Sequence, residues 1–243
     1  MAIYLHYYSQ AKARSRLLCF GQSIRRGIVI FYFCQCFKSH IPDLSSNRFH
    51  GNLPPLLFSN QSKIEMFDVS DNQLEGVLSF STFANASSLQ YLDLSSNCNL
   101  EIETKSPSWA PTFQLKYLNL ANTSLNKKNG HVFPTFIFTQ VSLEWLDLSH
   151  NMIEGSIPCQ LLFNTSIRDL SLRSNKIDGS LFLGCFANRT SSLRSLDISD
   201  NSVRGSLPEN IGHLLPNLYH VDMSSNALEG IIPWSFGNLS FEC

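Results

Sequence analysis

The chain has 243 residues, of which 43% are hydrophobic and 15% are charged, and this composition excludes an intrinsically disordered chain of low hydrophobicity. The formal net charge of −1 gives no overall attraction to nucleic acid or to an anionic membrane surface. No apolar run approaches the roughly 18 residues that a membrane-spanning helix needs.

The first 40 residues differ in charge from the rest of the chain. They contain six Lys or Arg residues and no Asp or Glu, so all 19 acidic residues lie beyond residue 40. A basic stretch is followed by a short apolar run, Ile28 to Phe37, but no A-x-A-like cleavage site comes after it. The segment is open to interpretation as a secretory signal, as an organellar presequence or as an accidental start. The last is favoured because Pro42 stands where the following pattern requires Leu, and we expect residues 1–40 to be poorly ordered.

From residue 41 onward, a Ser-x-Asn pattern recurs at a steady interval. Its last position is occupied by Asn47, Asn72, Asn97, Thr123, Asn151, Asn175, Asn201 and Asn226. The spacing and the best copies, such as LQYLDLSSN and LRSLDISDN, match the leucine-rich repeat, which has a period of about 20–29 residues. An Asn amide both donates and accepts, so this column is predicted to satisfy backbone groups of neighbouring coils.

Each repeat alternates apolar and polar residues before the Asn, which predicts a short strand with one buried face. We expect parallel strands centred on Leu44, Val69, Leu94, Leu120, Leu148, Leu172, Ile198 and Met223. A Gly-x-Leu/Ile-Pro segment follows in four repeats, beginning at Gly51, Gly155, Gly205 and Gly230. Residues 41–243 are therefore predicted to form an uncapped α/β-type solenoid of about eight repeats, a horseshoe with a parallel β-sheet on its concave face. Repeats three and four should be the least regular, because SPSWAPTF and NKKNGHVFP replace this segment.

The Gly-x-Ile-Pro segment resembles the plant-specific subclass of leucine-rich repeats. Residues Phe133 to Pro158 and Leu207 to Ser240 are similar to the mid-ectodomain of plant receptor-like proteins, which are cell-surface receptors with one membrane span and no kinase domain. The resemblance implies a plasma-membrane or extracellular location, a peptide or protein ligand, and receptor-kinase co-receptors. The expected signal peptide, caps and membrane helix are not clear in this sequence, so we interpret the chain as a fragment or shortened product of such a receptor.

Two other functions remain open. One is a secreted inhibitor similar to the plant repeat proteins that block polygalacturonases, although those are capped and Cys-paired; the other is a non-functional truncated product. The sequence contains no phosphate-binding Gly loop, H-E-x-x-H motif or kinase signature. We therefore predict no enzyme activity, no cofactor and no metal site.

The exposed strand positions predict a binding surface on the concave face. One column reads Met66, Tyr91, Tyr117 and Trp145, and the next exposed column contains Asp93 and Asp147. Rigid aromatic side chains beside acidic groups suit a peptide with apolar and basic residues, provided that the rings are at least partly exposed. The competing interpretations are cross-strand packing for the aromatic residues and a scaffold role for the Asp column.

Cysteines and glycosylation motifs give weaker signals. The chain has seven Cys, and Cys159 and Cys185 lie about one repeat apart, but their offsets from the local Asn differ by two, which disfavours a disulfide. Asn-x-Ser/Thr motifs occur at Asn60, Asn85, Asn122, Asn164, Asn188 and Asn238. All but Asn122 fall between the predicted strands, where a glycan would meet solvent, and this supports an ancestry in the secretory pathway.

Overall fold

The computed structural model describes residues 43–54, 58, 63–105, 110–181, 185 and 190–239. Within these ranges the chain winds through successive coils, and each coil contributes one short strand to a parallel sheet of seven strands. These strands are β2 (Met66–Asp68), β4 (Tyr91–Asp93), β6 (Tyr117–Asn119), β8 (Trp145–Asp147), β10 (Asp169–Ser171), β12 (Ser195–Asp197) and β14 (His220–Asp222). A bridge from Asp43 to Asp68 adds the first coil. The predicted parallel solenoid is confirmed, while the prediction for residues 1–40 lies outside the described residues.

The strands of this sheet are three residues long, and their centres lie two residues earlier in the chain than predicted. In the third coil the strand ends at Asp93, and the predicted centre, Leu94, follows it. The Asp93 carboxylate accepts the N–H of Ser95 and so turns the chain immediately after the strand. The Leu94 N–H still donates to the carbonyl of Asn119 at 3.0 Å. The predicted Leu column is therefore bonded between coils but sits at the start of the bend.

A second set of parallel strands follows the bend and was not predicted. A four-stranded sheet contains β1 (His50–Gly51), β3 (Gln73–Ser79), β5 (Asn99–Glu103) and β7 (Ser124–Leu125). In the later coils the corresponding segments form two separate two-stranded sheets. One pairs β9 (Glu154–Gly155) with β11 (Lys176–Ile177), and the other pairs β13 (Arg204–Ser206) with β15 (Ala227–Glu229). The second sheet is interrupted after β7, where Lys127–Asn129 forms a 3-10 turn flanked by residues with positive φ. This confirms that the fourth coil is irregular, while residues 106–109 of the third lie outside the described residues.

Within the described ranges, short helical segments lie on the path that follows the strands in five of the coils. They are the 3-10 helices Phe80–Phe83, Thr135–Thr139 and Trp234–Asn238 and the one-turn helices α1 (Cys159–Leu162) and α2 (Ile211–Leu214). The core between strands and helices is filled by columns of Leu, with Leu92, Leu118 and Leu146 all fully buried. Burial of one such side chain stabilises the fold by about 1.5–3 kcal/mol. No helix in the described part of the chain is both long and apolar enough to cross a bilayer.

The Asn column has the scaffold role that the sequence predicts. Asn97 Nδ2 donates to the Val69 carbonyl of the preceding coil and to Leu94 in its own coil, at 3.0 Å each. Its Oδ1 accepts the N–H of Leu74 at 3.0 Å. The same cross-coil pattern recurs at Asn72, Asn151, Asn175, Asn201 and Asn226. At the equivalent position, Thr123 has a single hydroxyl donor, and its Oγ1 lies 2.9 Å from two acceptors, Leu120 O and Asn151 Oδ1.

Cys159 and Cys185 form a disulfide, with their Cα atoms 5.3 Å apart. The inference that their unequal offsets disfavour this bond is therefore wrong. Counting from the Asn assumes that both coils follow the same path, but α1 begins at Cys159 directly after Pro158, and the next coil has Phe182 in place of that proline. Cys159 lies eight and Cys185 ten residues after its column Asn, so equal offsets are not a condition for this bond.

Candidate functional site

The predicted aromatic column forms one continuous row across the concave sheet. Parallel pairing places Met66 beside Tyr91, Tyr91 beside Tyr117, and Tyr117 beside Trp145. We call these four residues the aromatic row. Because the strands are in register with no offset between equivalent positions, the side chains project from the same face.

The rings of the aromatic row stack directly on one another. The ring centroids of Tyr91 and Tyr117 are 4.1 Å apart with planes 4° from parallel, and those of Tyr117 and Trp145 are 4.3 Å apart at 6°. Tyr91 and Tyr117 are buried, at 7% and 8% exposure. The expectation that all three rings are partly exposed is wrong for the two tyrosines, and Trp145 alone is half-buried. Cross-strand packing thus explains most of the row, and the stack ends at Trp145 because Asp169 follows in the next strand.

The Asp column first of all shapes the bend. Asp93 Oδ1 accepts from both the backbone N–H and the hydroxyl of Ser95, at 3.0 and 2.6 Å. The same bond to the N–H two residues later occurs at Asp43, Asp68, Asp147, Asp197 and Asp222. A bond of this kind holds a tight turn, and the next residues include positions with positive φ such as Ser96 and His150. The scaffold interpretation of the Asp column therefore gains direct support.

The second carboxylate oxygen of Asp93 also accepts hydrogen bonds from neighbouring side chains. Its Oδ2 accepts from the Tyr117 hydroxyl at 3.2 Å and from Asn119 Nδ2 at 3.1 Å. The residue is buried, at 3% exposure. Asp93 therefore positions Tyr117 and has no oxygen left to face a ligand, whereas Asp147 is half-buried and bonds Ser149 through Oδ1.

Burial also changes the charge of this surface. Desolvation, reinforced by the nearby Asp93 carboxylate, raises the pKa of Asp68 to about 7. Burial likewise raises the pKa of Asp93 and of Asp147, against the hydrogen bonds from Ser95 and Ser149. The pKa of Asp222 is lowered, because Ser224 donates two hydrogen bonds to it. Asp68 is thus partly protonated near neutral pH, and its attraction for a basic ligand is weaker than the sequence indicates.

Beyond Trp145 the concave face becomes polar and partly basic. Arg168 immediately precedes β10, and Arg194 immediately precedes β12. Nε of Arg168 lies 3.9 Å from Oε2 of Glu144. Arg173 takes the place of the Ser in the bend and pairs with Asp200 at 3.1 Å. The sequence-based prediction did not include this zone, although Arg168 and Arg194 occupy equivalent positions in two successive repeats of the sequence.

The glycosylation motifs differ in accessibility. Asn85 and Asn122 are exposed, and Asn122 lies in the bend after β6 with a φ of 51°. Asn164 is half-buried, and its Oδ1 accepts the N–H of Ser166 at 2.8 Å. Asn60 and Asn188 lie outside the described residues, as does the side chain of Asn238. Within the described ranges, no group of three or more His, Cys, Asp or Glu side chains is placed to hold a metal ion.

Comparison with known proteins agrees with this architecture. The leucine-rich-repeat family model matches residues 88–111, 142–163, 192–214 and 217–239. Among solved structures, the plant peptide hormone receptor RGFR1 in complex with RGF2 has a TM-score of 0.61 and 27% identity, covering 81% of this chain and 30% of that one. A TDR receptor also has a TM-score of 0.61, with 28% identity over 80% of this chain and 32% of its own. The fold and the repeats define the chain as a leucine-rich-repeat solenoid of the plant receptor type.

The curated proteins with similar sequences include plant receptor-like proteins. Receptor-like protein 14 of Arabidopsis thaliana is 38% identical over 123 residues, which are 50% of this chain and 12% of that protein. Receptor-like protein 1 of the same plant is 36% identical over 178 residues, which are 72% of this chain and 16% of that protein. Over the matched segments the chain is similar to these leucine-rich-repeat receptor-like proteins, and it spans under a fifth of the length of the two relatives.

Proposed function

We propose that the chain is a non-catalytic recognition module that binds an extended peptide or protein segment on its concave sheet. The observation that carries this proposal is the aromatic row, which is aligned by the parallel pairing of its strands, contains three stacked rings and ends in the half-buried Trp145. A large ring held in one orientation loses little conformational freedom on binding, so it makes a good anchor.

The members of the site have different roles in this proposal. Trp145 and Asp147 contact the ligand, because both are half-buried on the same strand. Met66, Tyr91 and Tyr117 support Trp145 from one side through the stack, and Asp93 holds Tyr117 in place. The expected ligand places an apolar side chain on Trp145 and a basic one near Asp147.

The relatives support the biological setting. The solved structure of RGFR1 is that of a peptide hormone receptor, and the curated relatives are receptor-like proteins. By this kinship the chain acts at the plant plasma membrane or outside the cell, with receptor-kinase co-receptors as partners of the signalling assembly. Attachment of N-linked glycans at the six sequons is part of the same proposal.

Selection from a random peptide library displayed on phage tests this function. The folded chain should enrich peptides that combine an aromatic or aliphatic residue with Lys or Arg. The Trp145→Ala variant should lose these peptides, while Trp234→Ala, which removes a 73% exposed Trp outside the concave sheet, should retain them. Equal enrichment by Trp145→Ala and the unmodified chain would place the binding surface elsewhere.

A further inference from the structure

A row of half-buried and exposed side chains runs beside the aromatic row, one residue earlier in each coil. In the later coils it contains Glu144, Arg168, Arg194 and Tyr219, and we call these four residues the flanking row. Backbone bonds keep them in register, because the N–H of Arg168 donates to Glu144 O at 2.8 Å and that of Arg194 donates to Arg168 O at 2.7 Å. The N–H of Tyr219 in turn donates to Arg194 O at 2.9 Å. Two arginines therefore lie side by side on neighbouring coils of the concave face.

The two arginines differ in how far their charges are neutralised. Arg168 is half-buried, and its Nε lies 3.9 Å from Oε2 of Glu144 in the preceding coil. Arg194 is exposed and makes no ion pair with any residue in the described part of the chain. Like charges on neighbouring strands repel each other, so an anion bound beside Arg194 relieves this repulsion.

Acidic side chains of the same strands do not neutralise Arg194. Asp197 uses Oδ1 to accept from the N–H and the hydroxyl of Ser199, at 2.9 and 2.6 Å. Asp169 is half-buried, and burial raises the pKa of its carboxyl in spite of the attraction of Arg194 and Arg168. Since burial disfavours the charged form of Asp169, this residue is a weaker counter-ion than an exposed carboxylate. The guanidinium of Arg194 is therefore available to a carboxylate from outside the chain.

The distance from Trp145 to this guanidinium sets the spacing of groups in a ligand. Parallel pairing places Trp145 beside Asp169 and Asp169 beside Ser195, so the residue that follows Arg194 lies two strands from Trp145 in the same row. Neighbouring strands are about 4.8 Å apart, which puts these two positions about 10 Å apart. An extended chain advances about 3.3 Å per residue, so about three residues of a peptide that crosses the strands span this distance.

We propose that Arg194, assisted by Arg168, binds a carboxylate side chain of the ligand, about three residues from the apolar residue that lies on Trp145. The inference rests on the proposed function, because it extends the same concave site by two coils. The ligand is then an extended peptide that crosses the strands and carries Asp or Glu at this spacing. A guanidinium suits this role, since its planar set of donors matches the two oxygens of a carboxylate.

Selection from a phage library with one fixed Phe and randomised flanking positions tests the proposal. Peptides joined to the coat protein through their C-terminus present no terminal carboxylate, so an acidic preference reports side chains alone. The unmodified chain should enrich Asp or Glu about three positions from the Phe, and Arg194→Glu should enrich Lys or Arg there instead. Arg204→Glu, a change at an exposed arginine of the same repeat on β13, should select the same peptides as the unmodified chain. Circular dichroism establishes that each variant is folded.

A double-mutant cycle on one selected peptide, synthesised with an amidated C-terminus, gives the second test. Fluorescence anisotropy should show binding about two- to fivefold weaker for Arg194→Gln, as expected for one exposed ion pair. Replacing the acidic residue of the peptide by its amide should have a similar effect, and the two changes together should cost little more than either alone.

The outcomes separate this inference from the proposed function. Peptides that are lost with Trp145→Ala but show no acidic preference, or a preference that survives Arg194→Glu, would overturn the role of Arg194 and leave the site at Trp145 standing. A selection that yields no peptide dependent on Trp145 would overturn both.

Discussion

The Tyr117 hydroxyl donates a hydrogen bond to Asp93 Oδ2, 3.2 Å away on the adjacent strand of the concave sheet. This bond joins the two columns that the sequence singles out, the aromatic one and the acidic one. It fixes the orientation of a ring that also stacks on Trp145 at 4.3 Å. The two columns thus act as one unit, in which the acidic residue positions the aromatic stack.

Replacing Tyr117 by Phe should lower the free energy of unfolding by about 1–2 kcal/mol, because a buried carboxylate loses one of its donors. The ring remains, so the stack on Trp145 should persist. Urea denaturation followed by circular dichroism measures the effect. Tyr219→Phe serves as the control, since that residue is 43% exposed and its change should cost almost nothing. Equal stability of Tyr117→Phe and the unmodified chain would show that the bond contributes nothing.

Asn97→Ala should destabilise the solenoid strongly, by about 3 kcal/mol or more. The change leaves the buried carbonyls of Val69 and Leu94 and the N–H of Leu74 without their partner. The matched experiment is Thr123→Asn, which restores a second donor to the column and should be neutral or stabilising. Thermal unfolding of the two variants side by side checks both signs, and a harmless Asn97→Ala would refute the scaffold role of this column.

Stability should depend on pH through Asp68. Its pKa is about 7 in the fold, above the ordinary value, so the contribution of its protonated form is fully present below pH 4 and is lost as the pH rises through 7. The free energy of unfolding should therefore fall by about 2–3 kcal/mol between pH 5 and pH 8.

Asp68→Asn should reduce this slope in denaturation experiments at the two pH values, and the part that remains comes from Asp93 and Asp147, whose pKa burial also raises. Asp222→Asn should leave the slope unchanged, because the pKa of Asp222 is lowered and the group is ionised throughout that range. A chain that becomes more stable from pH 5 to pH 8 would contradict the raised pKa of Asp68.

Loss of the disulfide should cost about 3 kcal/mol, since the bond closes a loop with a sequence separation of 26 residues. The double variant Cys159→Ser, Cys185→Ser and the reduced natural chain should unfold at similar urea concentrations. Cys98→Ser should not change stability, because that thiol is exposed and outside the bond. Mass spectrometry of alkylated protein checks the pairing, and labelling of Cys159 without reduction would disprove it.

Periodicity predicted the parts of the fold that repeat. Asn97 and its equivalents sit in the bend as expected, because one amide can satisfy both neighbouring coils. Periodicity did not reveal the second set of strands, since several of them, such as β9 (Glu154–Gly155), are only two or three residues long. β5 does alternate, with Leu100 and Ile102 buried, but it lies after the repeated pattern that ends at the column Asn. Their pairing follows from the stacking of coils, which brings any extended segment beside its counterpart.

The site was predictable in position and not in exposure. The column of Tyr91, Tyr117 and Trp145 could be read from the repeat, because equivalent positions must align in a parallel sheet. Whether a ring faces solvent depends on its neighbours in the adjacent strands, and here each tyrosine is covered by the next ring. The disulfide shows the same limit, since the distance between Cys159 and Cys185 depends on two unlike paths between strands.

The central claim is that the concave surface around Trp145 binds the ligand, and photo-crosslinking tests it most directly. A peptide enriched by the chain, carrying a benzophenone next to its aromatic residue, is irradiated in the complex and the linked residues are identified by mass spectrometry. We predict links within residues 117–122 and 145–150, on β6, β8 and the bends that follow them. Links confined to α1 and α2, on the return segments of the coils, would contradict the account.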